Sequence, residues 1–171
     1  MVRGVILDAG PLLDLLLYRF WTDQRRPVDE NRLICTQLGV SPQQLSRFLG
    51  SCPRIFLVPG VIVEVGRLAR EEVVYWRGKA KKLSLASFWR LTIRELKLMG
   101  IDEKWTKFFF LDRKIVEELG PTDAALIRCA QELSQERIPI LTHDQPLWGQ
   151  CHKVHVSCMV TSEILPWIYT V

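Results

Sequence analysis

The sequence predicts an α/β protein with a mostly parallel central sheet and helices on both of its faces. Three observations carry that expectation. Short aliphatic runs ("GVILD", "RIFLV", "IPILT" and "KVHVS") alternate with longer segments of helical period. A chain that alternates in this way builds βαβ units, because each right-handed crossover returns its helix antiparallel to the strand before it. The 171 residues, 48% hydrophobic and 25% charged, suit one domain over residues 1–171 with a sizeable core.

The elements follow in order. The first strand is read at "GVILD", and the helix after it opens on Pro11, whose missing N–H costs nothing in a first turn. Residues 22–53 form a helical excursion with turn residues at both ends and one helix in "SPQQLSRFLG". "RIFLV" is the second strand, stopped by Pro59-Gly60, after which Val61, Val65, Leu68 and Ala69 keep a helical period. A second excursion, 71–120, holds an amphipathic helix over 84–99 and a helical, aromatic-rich stretch, "IDEKWTKFFFLDRKIVEELG". "PTDAALIRCAQELSQER" is the clearest helix, with Thr122 as its expected N-cap and Leu126, Ile127, Ala130 and Leu133 along one face. "IPILT" and "KVHVS" are the third and fourth strands. No internal repeat, low-complexity stretch or linker appears.

Several function classes drop out on composition. The apolar run "GPLLDLLL" is broken by Asp14 and falls short of a membrane span, and no signal-peptide pattern is visible, so a cytoplasmic protein with no membrane partner is expected. Five cysteines, an odd number without a framework, read as reduced thiols. Cys151, His152, His155 and Cys158 have zinc-ligand chemistry, but on a strand through "KVHVS" His155 points away from its neighbours, so ordinary strand and loop residues are expected instead. The net charge of +4 permits nucleic acid as a partner without requiring it. Positive charge gathers in "RLAREEVVYWRGKAKK", which includes Arg67, and at Arg90, Arg94 and Lys97, which share one helical face.

Four carboxylates are expected at the edge where strands end and helices begin. Asp8 ends the first strand and Asp144 follows "IPILT". Glu64, three residues after Val61 and four before Leu68, turns toward the apolar stripe of its helix; Asp123 stands in the same relation to Leu126 and Ile127. Singly, each has a bland explanation as a cap, a turn residue or a dipole partner. Four on one edge point to a shared cause, and oxygen-only ligation favours Mg²⁺ or Mn²⁺. Open α/β sheets take their ligands at that edge.

These residues carry a family resemblance. "VILDAGPLLDLL" resembles the opening of a PIN domain, "VPGVIVEVGRLA" its second acidic motif, "GPTDAALIRCAQE" its third and "ILTHDQPLW" its last. The motifs occur in the family's order and span essentially the whole chain. The resemblance implies a three-layer α/β/α sandwich and a metal-dependent endoribonuclease acting on RNA. Its acids are Asp8, Glu64, Asp123 and Asp144, with Thr142 adding a hydroxyl and Ala9-Gly10 leaving room for metal and substrate. It also implies a homodimer and, for a toxin of a toxin-antitoxin pair, a small antitoxin protein as partner; an RNA-processing role is the other possibility. Pro146 stands where many members have a further acid, and both excursions exceed the compact members. On this reading Arg67, Arg90, Arg94 and Lys97 supply counter-charge for an RNA backbone. A haloacid-dehalogenase-type phosphatase needs an acid at the position of Gly10, and a receiver domain needs acids that "RIFLVPG" lacks. The serious alternative is a non-catalytic PIN-like module that binds RNA or protein.

Overall fold

Among the described residues, β1 (Val5–Leu7), β2 (Ile55–Leu57), β3 (Asp102–Glu103), β4 (Ile140–Thr142) and β5 (Cys158–Val160) form one sheet. Its order is β3-β2-β1-β4-β5, and every pairing is parallel. The computed structural model describes residues 2–73, 79–107 and 111–168, and within them no side chains over 71–84. β1, β2 and β4 are buried at every position, as expected of strands covered on both faces.

The helices are α1 (Ala9–Asp23), α2 (Ile34–Gln37), α3 (Pro42–Ser51), α4 (Pro59–Val73), α5 (Lys79–Leu98), α6 (Arg113–Leu119), α7 (Pro121–Glu132), α8 (Gln145–Lys153) and α9 (Leu165–Ile168). α1 packs against α3, α4 and α5, while α7 rests on β1 and β4. The arrangement is consistent with a three-layer α/β/α fold. α1 is apolar on more than one face because it meets both helices and sheet: Leu12, Leu13, Leu15, Leu16, Leu17 and Phe20 are all buried. Each such side chain contributes about 1.5–3 kcal/mol. Phe20 meets Phe88 of α5 edge-on at 5.7 Å between centroids.

This order decides where a ligand site can form. From β1 the chain winds outward through β2 to β3, then crosses back to β4 on the other side of β1 and continues to β5. The winding direction therefore reverses between β1 and β4, and the crevice beyond the carboxyl ends of that pair is the topological switch point.

Several elements differ from the sequence reading. "KVHVS" is not a strand: α8 runs through Lys153, His155 turns the chain in the left-handed region at φ 56°, and β5 starts at Cys158. Its alternating valines, Val154 and Val156, instead pack on the core from the turn. The stretch from Ile101 is not one helix. Asp102–Glu103 pair with Phe56 and Leu57 as an edge strand, and α6 begins only at Arg113, capped by Asp112 through Lys114 N and Ile115 N. Phe108, Phe109 and Phe110 lie outside the described residues. Thr122 does not cap α7. Gly120, at φ 99°, supplies a backbone angle that L-residues resist, and Pro121 takes the first helical position. In the 22–53 excursion Ser41 and Gln44 form a capping box at α3.

Candidate functional site

Asp8 leaves β1 and immediately becomes the N-cap of α1. Its Oδ1 accepts from Ala9 N at 2.6 Å, and its Oδ2 accepts from Thr142 Oγ1 at 2.6 Å. Asp144 does the same for α8, its Oδ1 accepting from Leu147 N at 3.1 Å. Asp144 N donates to Thr142 Oγ1 at 2.8 Å, so the fully buried Thr142 hydroxyl stands between the two acids as donor to one and acceptor from the other. Both acids flank the switch point, one just beyond the end of each of its strands.

Glu64 on α4 and Asp123 in the first turn of α7 complete the set. Their helices start close together: a Cβ on Gly60 would come within 2.8 Å of Thr122 Oγ1, so the approach of α4 to α7 requires glycine there. All four carboxylates line one cavity of about 460 Å³, with Gly10, Ile34, Leu68, Leu119 and His143 among its walls. A larger cavity, about 750 Å³, opens where β1 and β4 begin and is lined by Arg3, Arg137 and Trp167 among others. It holds no comparable cluster of acids, and chemistry outranks size in choosing between them.

The acids share an electric field. Burial pushes the Asp123 carboxyl up to about 7, with further upward pushes from the charges of Asp8, Asp144 and Glu64. Glu64 is also raised, first by burial and then by Asp8, while Arg67, 3.9 Å away, pulls it back. Asp8 is raised by burial against the opposing bonds from Thr142 and Ala9, and Asp144 raises it further. Yet among the described residues no group of three or more histidine, cysteine or carboxylate side chains is arranged to hold a metal ion. The acids share a cavity and a field without closing on one point. Asp8 and Asp144 each turn one oxygen back onto their own helix.

One feature escaped the sequence reading. His143 Nε2 lies 2.9 Å from Asp14 Oδ2, a buried contact between residues 129 positions apart. The His143 ring lies against Gly10, where a Cβ would come within 2.7 Å of its Cδ2. The direction a Gly10 side chain would take is filled by this ring, while Ala9 and Gly10 also line the carboxylate cavity. A carboxylate inside the apolar face of "LLDLLL" was the available signal.

The basic residues are less concentrated. Arg67 stands beside Glu64, but Arg90, Arg94 and Lys97, on α5, do not line the carboxylate cavity. Arg94 is paired with Asp23 at 3.1 Å and Glu95 at 3.3 Å, and Lys97 borders an apolar groove with Ile62 and Ile101. Arg77 and the side chains of Lys79, Lys81 and Lys82 lie outside what is described. Cys151 is buried, His152 packs on Trp148 at 4.2 Å, and all five cysteines are free thiols. No helix among the described residues is long and apolar enough to cross a membrane.

No protein-family model matches the chain, and no curated protein matches it significantly.

Proposed function

We propose that this chain is a PIN-type, metal-dependent endoribonuclease of the cytoplasm, in which Asp8, Glu64, Asp123 and Asp144 hold Mg²⁺ or Mn²⁺ and direct hydrolysis of an RNA phosphodiester bond. The observation that carries the reading is that all four carboxylates line one cavity beyond the carboxyl ends of β1 and β4, where burial and then the charges of Asp8, Asp144 and Glu64 push the Asp123 carboxyl up. Such a cluster has the donor chemistry of a hard cation site. Asp123 accepts no side-chain hydrogen bond among the described residues, and Asp144 bonds through Oδ1 alone, which leaves oxygens for a cation. Bound there, the metal would supply a Lewis acid for a phosphate oxygen and a water of lowered pKa.

The chain's own residues do the rest. Thr142 Oγ1 holds Asp8 Oδ2 in place, and Asp123 or Asp144 orients the attacking water. Arg67, and beyond it Arg90, Arg94 and Lys97, supply counter-charge for the RNA backbone, Arg94 exchanging Asp23 and Glu95 for phosphate. The chain acts as a homodimer, either as a toxin restrained by a small antitoxin protein or in RNA processing.

A second reading, a non-catalytic PIN-like module that binds RNA or protein, is favoured by the acids not closing on one point. Incubating single-stranded RNA with the protein in Mn²⁺ and in EDTA, beside Asp123→Asn prepared identically, separates the two. Cleavage confined to wild type with Mn²⁺ supports the nuclease; binding without cleavage in any of these supports the module.

A further inference from the structure

Asp14 interrupts the apolar surface of α1 and is only 2% exposed. Three donors converge on it: Ile34 N at 3.3 Å to Oδ1, Cys35 N at 2.6 Å to Oδ2, and the His143 ring at 2.9 Å to Oδ2. An acceptor-only carboxylate requires the hydrogen on Nε2. The other ring nitrogen, Nδ1, is buried and has no hydrogen-bond partner among the described residues.

A device kept for stability alone has a cheaper form. Replacing a buried polar pair by apolar side chains of similar volume is often neutral or stabilising, and an orphaned ring nitrogen adds a further cost. The location gives a reason for the pair. His143 stands between Thr142 and Asp144, and Asp14 lies on the helix that Asp8 caps. The start of α8 is thus tied to α1 twice, through Thr142 to Asp8 and through His143 to Asp14. Thr142 is already held as the last residue of β4, where it pairs with Val160 and its carbonyl accepts from Thr161 Oγ1; the His143–Asp14 contact, with the ring seated on Gly10, extends that hold to the residue before Asp144.

We propose that His143, oriented by Asp14, is a positioning residue of the carboxylate cavity: it clamps the 142–144 turn to α1 so that Thr142 Oγ1 stays between Asp8 and the Asp144 amide. The catalytic meaning of this clamp rests on the nuclease reading above, but the clamp itself has a readout of its own. Asp144 N donates to Thr142 Oγ1, so its exchange with solvent reports whether the turn is held.

The test compares His143→Ala, His143→Gln and His143→Asn. The Gln amide nitrogen reaches the position of Nε2 and restores a donor to Asp14; the Asn amide reaches only that of Nδ1 and does not. By hydrogen exchange, His143→Ala and His143→Asn should speed exchange at Asp144 at least tenfold relative to core amides such as those of Ile6 and Leu141, and His143→Gln should recover most of it. For Mn²⁺-dependent RNA cleavage, corrected for folded fraction, His143→Ala should lower kcat at least tenfold with KM within about threefold, and His143→Gln should regain most of kcat. Asp14→Ala added to His143→Ala should lower kcat by less than a further threefold, since the two act as one unit. Unchanged Asp144 exchange in His143→Ala, equal behaviour of the Gln and Asn variants, or loss only in proportion to global stability would overturn the clamp. Wild type that cuts no RNA while the exchange pattern holds would remove the nuclease reading and leave the clamp standing.

Discussion

Thr142 and Asp8 lie 134 positions apart, yet the hydroxyl of one donates to Oδ2 of the other at 2.6 Å, joining the carboxyl ends of β4 and β1 where the winding of the sheet reverses. The same hydroxyl accepts from Asp144 N at 2.8 Å. Thr142→Val keeps the shape and removes both bonds, leaving the part-buried Asp144 amide and a buried Asp8 carboxylate oxygen short of a partner. We expect a loss of about 1–3 kcal/mol in urea unfolding. Thr142→Ser, which keeps the hydroxyl, should retain most of the difference. Equal stabilities for the Val and Ser variants would show that the hydroxyl holds nothing.

Gly10 supports the ring of His143 from below. Within a helix Gly→Ala ordinarily gains about 0.5–1 kcal/mol, but here the new Cβ would meet Cδ2 at 2.7 Å, and the ring, tied to Asp14, has little room to retreat. Gly10→Ala should therefore destabilise by about 1–2 kcal/mol, and the same change made in His143→Ala should stabilise instead. Thermal unfolding of the four proteins gives the sign in each background; a penalty that survives removal of the ring rules this contact out as its cause.

The metal-free cavity should also set a pH dependence. Asp123 moves from an ordinary value of 3.8 to about 7 on folding, so the folded state binds its proton more tightly than the unfolded state does. The resulting stability is fully present below 3.8 and is lost as pH rises through about 7; Asp8 and Glu64 shift in the same direction. In EDTA, unfolding free energy should fall between about pH 4 and 7, and Asp123→Asn should flatten that slope. A wild-type curve that rises across the window, or one that the substitution leaves unchanged, contradicts the shared field.

Asp8 and Asp144 were legible because the hydrophobic runs before them end abruptly, and a strand's carboxyl end fixes where the next residue sits. Glu64 and Asp123 were legible because their spacing to Val61, Leu68, Leu126 and Ile127 fixes a helix face. β3 was not: it is two exposed, charged residues, and it is a strand only because β2 offers an open edge, extended by Lys104 N bonding to Leu57 O at 2.8 Å. β5 was shifted because an alternation of valines suits a turn packed on a core as well as a strand. The Asp14–His143 contact spans 129 positions, and no local pattern pairs one acid with one imidazole at that range.

The last prediction separates shared charge from local capping. Of the four acids, Asp123 is the clean probe, because Asp8→Asn would also disturb bonds to Ala9 and Thr142, whereas Asp123 accepts no side-chain hydrogen bond among the described residues. Two carboxylates about 6 Å apart repel by about 3 kcal/mol at an effective dielectric near 20, so removing one charge should relieve part of that. Asp123→Asn should be inactive yet more stable than wild type in EDTA, by about 0.5–2 kcal/mol. Mn²⁺ at a hundred times its Kd should add about 2.7 kcal/mol to wild type through linkage and much less to the variant, narrowing or reversing the order. A residue that merely complements the α7 dipole behaves oppositely: its loss would cost a few tenths to about 1 kcal/mol with or without metal. Thermal unfolding of both proteins, each with EDTA and with Mn²⁺, distinguishes the cases. A less stable variant in EDTA, beside a wild type indifferent to Mn²⁺, would reduce Asp123 to a helix-start residue and take the observation that carries the nuclease reading with it.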